Sequence, residues 1–107
     1  MTRINSRAKG AAGEREFCKW LYEHFDLSEM PERNLEQVRS GGADVLSVRP
    51  FVFEVKRVER LDLQAAWTQC VIAARKAGGE PVVAHRVNRQ PWRFLISAKH
   101  IGLDLGY

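Results

Sequence analysis

An acid and a base stand side by side in a segment that is otherwise apolar. FVFEVK, residues 51–56, alternates as a β-strand does, so Glu54 and Lys56 share one face with Val52. Phe and Val are typical of a buried strand, where a charge is costly unless it is paired or hydrogen-bonded. A plain surface ion pair on an edge strand is the alternative, and it would contribute little to stability.

Two further acids interrupt apolar patterns. Asp44 follows the segment SGGA and shares a strand face with Leu46 and Val48. Glu14 extends by one turn the apolar stripe of a helix that continues through Phe17. Each acid alone has an ordinary explanation: a turn aspartate after glycines, or a first-turn acid favoured by the helix dipole.

Together these charges fit one kind of chemistry. Asp44 and Glu54 lie near the ends of adjacent predicted strands, so their carboxylates can converge on Mg²⁺, which prefers oxygen ligands. Glu14 would complete the ligand shell from a helix end. A bound metal activates water and neutralises charge developing on a phosphodiester. Lys56 would orient that water or stabilise the transition state.

The elements that position these residues follow from periodicity and turn signals. The predicted elements are a helix over about Ala11–Phe25, strands over about Leu35–Arg39, Asp44–Val48 and Phe51–Val58, a helix over about Leu63–Ala77 capped by Asp62, and strands within residues 81–87 and 92–97. The order α-β-β-β-α-β-β predicts a single α/β domain, residues 11–107, with a mixed central sheet flanked by two helices. Residues 1–10 are predicted to form a basic tail.

Both predicted helices are amphipathic. The apolar stripe of the first contains Phe17, Cys18, Leu21 and Phe25, and Glu16, Lys19 and Glu23 are expected to face solvent. The stripe of the second contains Leu63, Ala66, Trp67, Cys70, Val71 and Ala74. Both cysteines therefore read as buried free thiols, and no C-x-x-C spacing suggests zinc or redox chemistry.

Composition limits the protein class. The chain has 107 residues, of which 45% are hydrophobic and 28% charged, as in an ordinary folded domain. No apolar run approaches the roughly 20 residues that cross a bilayer. The basic N-terminus lacks the apolar stretch of a signal peptide, so we expect a cytoplasmic location and no membrane partner.

Basic charge is concentrated in two segments. Residues 1–10 and 86–93 each carry three Arg or Lys and no acid, although the whole chain is only +4. The rest of the chain is therefore net acidic, and this distribution suggests a polyanion such as nucleic acid. A solvated basic face is the alternative. Within the second segment, we expect Trp92 to pack on its own sheet rather than stack on DNA.

The acidic pattern resembles the PD-(D/E)XK nuclease superfamily. The resemblance consists of Asp44, nine intervening residues and Glu54-Val55-Lys56, preceded by a helical Glu14, in an element order that matches the superfamily core. The chain is most similar to the archaeal-type Holliday junction resolvases and related small phage-encoded nucleases, in GEREF (13–17) and RSGGAD (39–44). Ala43 stands where many members have proline, and the chain is short for a protein that grips a junction.

The resemblance implies roles for individual residues. Asp44, Glu54 and the Val55 carbonyl would bind Mg²⁺, with Mn²⁺ as a substitute, and Glu14 would be a further ligand. Lys56 would be the catalytic lysine. Gln69, on the second helix, would lie near the active site, unless it is an ordinary helix glutamine. The candidate DNA contacts are Arg7, Lys9, Arg15, Arg39 and Ser40.

The predicted activity is that of a metal-dependent DNA endonuclease selective for branched DNA such as a four-way junction. It would act as a homodimer, because symmetric cuts need two active sites. One alternative is a nicking or repair-type nuclease without junction preference. Another is a DNA-binding module that no longer cuts.

Overall fold

A computed structural model of the chain describes residues 6–34, 44–45 and 47–100, with side chains from residue 10 onward. Within these residues, two helices and three strands follow one another in the order α-β-α-β-β. They are helix α1 (Ser6–His24), strand β1 (Phe51–Lys56), helix α2 (Leu63–Ala77), strand β2 (Glu80–His85) and strand β3 (Arg93–Ile96). A short 3₁₀ turn, Ala98–His100, follows β3.

The three strands form one mixed sheet in the order β1-β2-β3. Strands β1 and β2 are parallel, and β3 runs antiparallel to β2. Parallel neighbours need a crossover connection, and α2 supplies it. The predicted α/β fold, a mixed sheet flanked by two helices, is confirmed.

Helix α2 has the predicted ends. The Asp62 side chain accepts a hydrogen bond of 3.0 Å from the backbone N–H of Ala65, which satisfies a donor in the first turn. Gly78 closes the helix with φ 75°, a left-handed conformation that glycine adopts without steric cost. The sequence predicted both ends because each is encoded by a single local residue.

The two faces of the sheet have separate cores. Phe17 and Leu21 of α1 pack with Phe53 and Val55 of β1 and with Trp92, which is buried as predicted. On the other face, α2 covers the sheet through two clusters, one with Ala73 and Ala74 and the other with Ala66 and Cys70. The opposite faces of β1 therefore point to different helices, as strand alternation requires.

Both cysteines are buried and free, as the sequence predicted. Burial, followed by the negative charge of Glu54, raises the pKa of the Cys70 thiol to about 11. Burial, followed by the charge of Glu14, raises that of Cys18 to about 11. Both thiols are therefore neutral near pH 7, and neither is suited to act as a nucleophile.

Several predicted boundaries were wrong. Helix α1 begins at Ser6 rather than Ala11, because the prediction followed apolar side chains and the preceding turn has good helix formers without an apolar stripe. Strand β1 ends at Lys56, two residues earlier than predicted. Of the predicted strand Asp44–Val48, the described residues pair only through bridges of Val45 to Arg33 and Phe53. The predicted strand Leu35–Arg39 lies outside the described residues.

Candidate active site

The predicted site residues meet at the edge of β1 that faces away from β2. Phe53 exchanges two backbone hydrogen bonds with Val45, of 3.1 and 3.3 Å, so its N–H and C=O both face this edge. The backbone N–H and C=O of Val55, two residues further along β1, face the same edge. Its N–H donates to Asp44 Oδ2 at 2.7 Å, so a carboxylate occupies a position where a sheet normally supplies a carbonyl. The Val55 carbonyl, by the same alternation, faces this edge as well.

Glu54 and Lys56 lie on the α2 face of β1 and form an ion pair. The distance from Lys56 Nζ to Glu54 Oε1 is 3.7 Å, and the side chain of Lys56 is 29% exposed and that of Glu54 15%. The pair is therefore neither a fully solvated surface contact nor a sealed core pair. A strand end that keeps an acid and a base half-buried at one edge can bind a charged ligand there.

Glu14 approaches from α1, which packs closely on the end of β1. A Cβ at Gly13 would lie 2.6 Å from the Cβ of Arg57, so only glycine allows this approach. Glu14 itself is buried, and its Oε2 lies 3.5 Å from Nε of Arg33. Glu14 therefore lies in the interior of the protein. It is not a solvated acid in the first turn of a helix, as the alternative interpretation predicted.

The three acids interact electrostatically. Burial, followed by the negative charge of Glu54, raises the pKa of Asp44 to about 8, although the Val55 N–H opposes the shift. Burial also raises the pKa of Glu54, and Lys56 opposes that shift. The charge of Glu14 raises the pKa of both groups. Three desolvated carboxyl groups that repel one another are stabilised by a proton or by a cation.

This donor set fits a hard divalent cation. Mg²⁺ is bound through one or two carboxylates with carbonyl and water oxygens in the remaining positions. Asp44, Glu54 and the Val55 carbonyl supply such oxygens at one strand edge. Among the described residues, no group of three or more His, Cys, Asp or Glu side chains is arranged so that it could hold a metal ion. A two-carboxylate site completed by the backbone and water is consistent with that finding.

The other predicted site residues have different positions. Gln69 is exposed on α2 and, within the described ranges, makes no hydrogen bond to the acids, so its predicted role remains a prediction. Arg15 is exposed on α1. Arg7 and Lys9 lie within α1, which places them on a helix rather than in the predicted tail, and their side chains are not described. Arg39 and Ser40 lie outside the described residues.

One contact network was missed by sequence reasoning. Glu16, predicted to face solvent, pairs with Arg57 at 3.2 Å and with Arg86. Arg57 also donates to Asn88 at 3.0 Å, so the network ties α1 to the chain beyond β1 and β2. Arg86, the first residue of the basic segment 86–93, is therefore already paired with an acid. No local spacing encodes these contacts, which join residues 31 to 70 positions apart.

Arg33 was also missed. Its backbone is bridged to Val45, and its side chain reaches Glu14. It lies eleven residues before Asp44 in a loop-like polar segment, and nothing in the spacing distinguishes it from a solvated arginine.

Comparison with solved structures identifies a related fold. The chain is similar to Hjc, a Holliday junction resolvase from the hyperthermophilic archaeon Archaeoglobus fulgidus. The two share 26% sequence identity with a TM-score of 0.52, over 82% of this chain and 72% of Hjc. The resemblance to the PD-(D/E)XK nuclease superfamily is confirmed. The likeness to a resolvase supports a nuclease-type, DNA-binding protein.

Comparisons at the sequence level add nothing to this assignment. No protein-family model matches the chain, and no curated protein matches it. The resolvase-like fold therefore rests on the arrangement of α1, the sheet and α2. Neither helix of the described part of the chain is long and apolar enough to cross a membrane.

Proposed function

We propose that this chain is a Mg²⁺-dependent DNA endonuclease that hydrolyses phosphodiester bonds in branched DNA, with the four-way junction as its substrate. The observation that supports it most is the hydrogen bond from Val55 N–H to Asp44 Oδ2, which fixes an acid beside Glu54-Val55-Lys56. The resemblance to a Holliday junction resolvase supplies the substrate class.

The residues at this edge of β1 would have separate roles in metal binding and in catalysis. Asp44, Glu54 and the Val55 carbonyl would hold the cation, Glu14 would be a further ligand, and Mn²⁺ is expected to replace Mg²⁺. When bound, the cation lowers the pKa of a water and neutralises charge on the phosphodiester. The Lys56 ammonium donates hydrogen bonds to the attacking water or to a phosphate oxygen, and so stabilises the transition state more than the ground state.

A junction resolvase needs two such sites. A symmetric four-way junction presents two equivalent strands, which a homodimer with twofold symmetry matches. We therefore expect wild-type protein to nick opposing strands at matching positions. A mixture of wild-type and Glu54→Gln subunits should form mixed dimers that nick only one strand of each junction.

The test compares substrates of the same sequence. Labelled four-way junction, linear duplex and single strand are incubated with the protein and Mg²⁺ in excess competitor DNA. We expect binding and cleavage of the junction well above the other two. Equal cleavage of duplex would favour the nicking or repair-type nuclease, and binding without cleavage in Mg²⁺ or Mn²⁺ would favour the non-catalytic DNA-binding module.

A further inference from the structure

We infer that Arg33 is a phosphate-binding residue of the active site, placed between the acidic cluster and a groove that receives the DNA strand leaving that site. This inference rests on the proposed nuclease function and adds to it a substrate contact. Arg33 has no local sequence signal.

The position of Arg33 is fixed by backbone contacts. Its bridge to Val45 lies beside the pairing of Val45 with Phe53. The next residue, Asn34, donates a backbone hydrogen bond of 2.7 Å to the carbonyl of Asp44. The segment that contains Arg33 is therefore separated from β1 by the segment that contains Val45, and Arg33 lies beside the predicted metal ligand Asp44.

The contact between Arg33 and Glu14 engages only part of the guanidinium group. Its Nε lies 3.5 Å from Glu14 Oε2 but makes no hydrogen bond, and the side chain is one quarter exposed. Within the described ranges this ion pair is the polar contact of the Arg33 side chain. A guanidinium group has five N–H donors in a fork that matches phosphate, so most of them can bind a ligand here.

A groove lies between α1 and residues 30–33. It encloses about 720 Å³ and is lined by Arg15 and Lys19 as well as by Arg33. Tyr22, 44% exposed, also lines it and offers an aromatic face of the kind on which an unpaired base stacks. Glu23 and Glu32 are present too, so the groove is only moderately basic, and Arg33 is the cation that joins it to the acids.

The test is the salt dependence of junction binding, measured with Ca²⁺ in place of Mg²⁺. A phosphate contact contributes about one to the slope of log K against log salt. Arg33→Ala should weaken binding severalfold and flatten this slope by about 1. The matched control, Arg75→Ala, removes an exposed cation from the last turn of α2 and should leave the slope unchanged.

A second variant separates binding from folding. Glu14→Gln/Arg33→Gln removes both charges of this ion pair together and should flatten the slope by the same amount. An unchanged slope in either folded variant, with normal wild-type binding, would show that Arg33 is only a counter-ion of Glu14. Failure of wild-type protein to bind any DNA would instead refute the proposed function.

Discussion

Replacing Asp44 by asparagine should stabilise the metal-free protein at neutral pH while removing the proposed metal site. The asparagine amide has nearly the shape of a protonated aspartate, and its carbonyl oxygen can still accept from Val55 N–H. What the substitution removes is the free-energy cost of keeping Asp44 protonated at neutral pH, which arises because burial and the charge of Glu54 raise its pKa.

The size of the effect follows from the raised pKa. The usual value of 3.8 applies to the unfolded chain, and the folded value is about 8. Between these values the folded protein holds a proton that the unfolded chain has lost, so the free energy of unfolding falls as pH rises. Each pH unit lowers the free energy of unfolding by about 1.4 kcal/mol, which gives a loss of about 4 kcal/mol between pH 4 and pH 7. Allowing for the burial cost of the amide, Asp44→Asn should gain about 2–4 kcal/mol at pH 7.

The assay is urea denaturation in EDTA, followed by tryptophan fluorescence at several pH values from 4 to 8. Asp44→Asn should show a shallower decline than wild type, with a residual slope from Glu54. Asp26→Asn, at an exposed loop carboxylate, is the matched control and should follow wild type. Adding Mg²⁺ at about ten times its Kd should raise wild-type stability by about 1.4 kcal/mol and leave Asp44→Asn unchanged.

Two results would refute this reasoning. Equal or lower stability of Asp44→Asn at pH 7 would mean that the folded protein does not raise the pKa of Asp44. Equal stabilisation of both proteins by Mg²⁺ would mean that the cation binds elsewhere.

Three further perturbations have distinct expected outcomes. Gly13→Ala should destabilise the protein by about 1–3 kcal/mol in thermal unfolding, because its Cβ would overlap Arg57. Gly10→Ala, in the same helix, places its Cβ where no atom lies within 4 Å and should stabilise the protein by about 0.5–1 kcal/mol. Destabilisation by both substitutions would contradict the close-packing explanation. Lys56→Ala should bind junction with wild-type affinity but cleave it at least about 100-fold more slowly in single-turnover assays, and a loss confined to binding would contradict its role. Replacing both Arg7 and Lys9 by alanine should flatten the salt slope of junction binding by about 2, and an unchanged slope would show that neither contacts DNA.

The parts of the fold that were predictable are encoded locally. Asp62 and Gly78 mark the two ends of α2, and the Glu54-Val55-Lys56 segment lies on the strand that its alternation predicted. The acids were recognisable because charges interrupt otherwise apolar patterns. Such interruptions can be read from the order of residues alone.

The contacts that complete the site depend on tertiary structure. Glu16 was expected in solvent because its helical position is off the apolar stripe, yet two arginines distant in sequence approach it. Arg33 reaches Glu14 only because the chain passes beside Val45. Long-range pairing of this kind leaves no periodic signal in a single sequence.

The most direct measurement of the central claim is the single-turnover cleavage rate of a four-way junction by wild type and Glu54→Gln, with Mg²⁺ and with EDTA. Wild type should cleave only with Mg²⁺, and Glu54→Gln should bind the junction at least as tightly while its rate falls by about 100-fold or more. Cleavage by Glu54→Gln at near the wild-type rate, or by wild type in EDTA, would contradict a metal-dependent active site at the edge of β1.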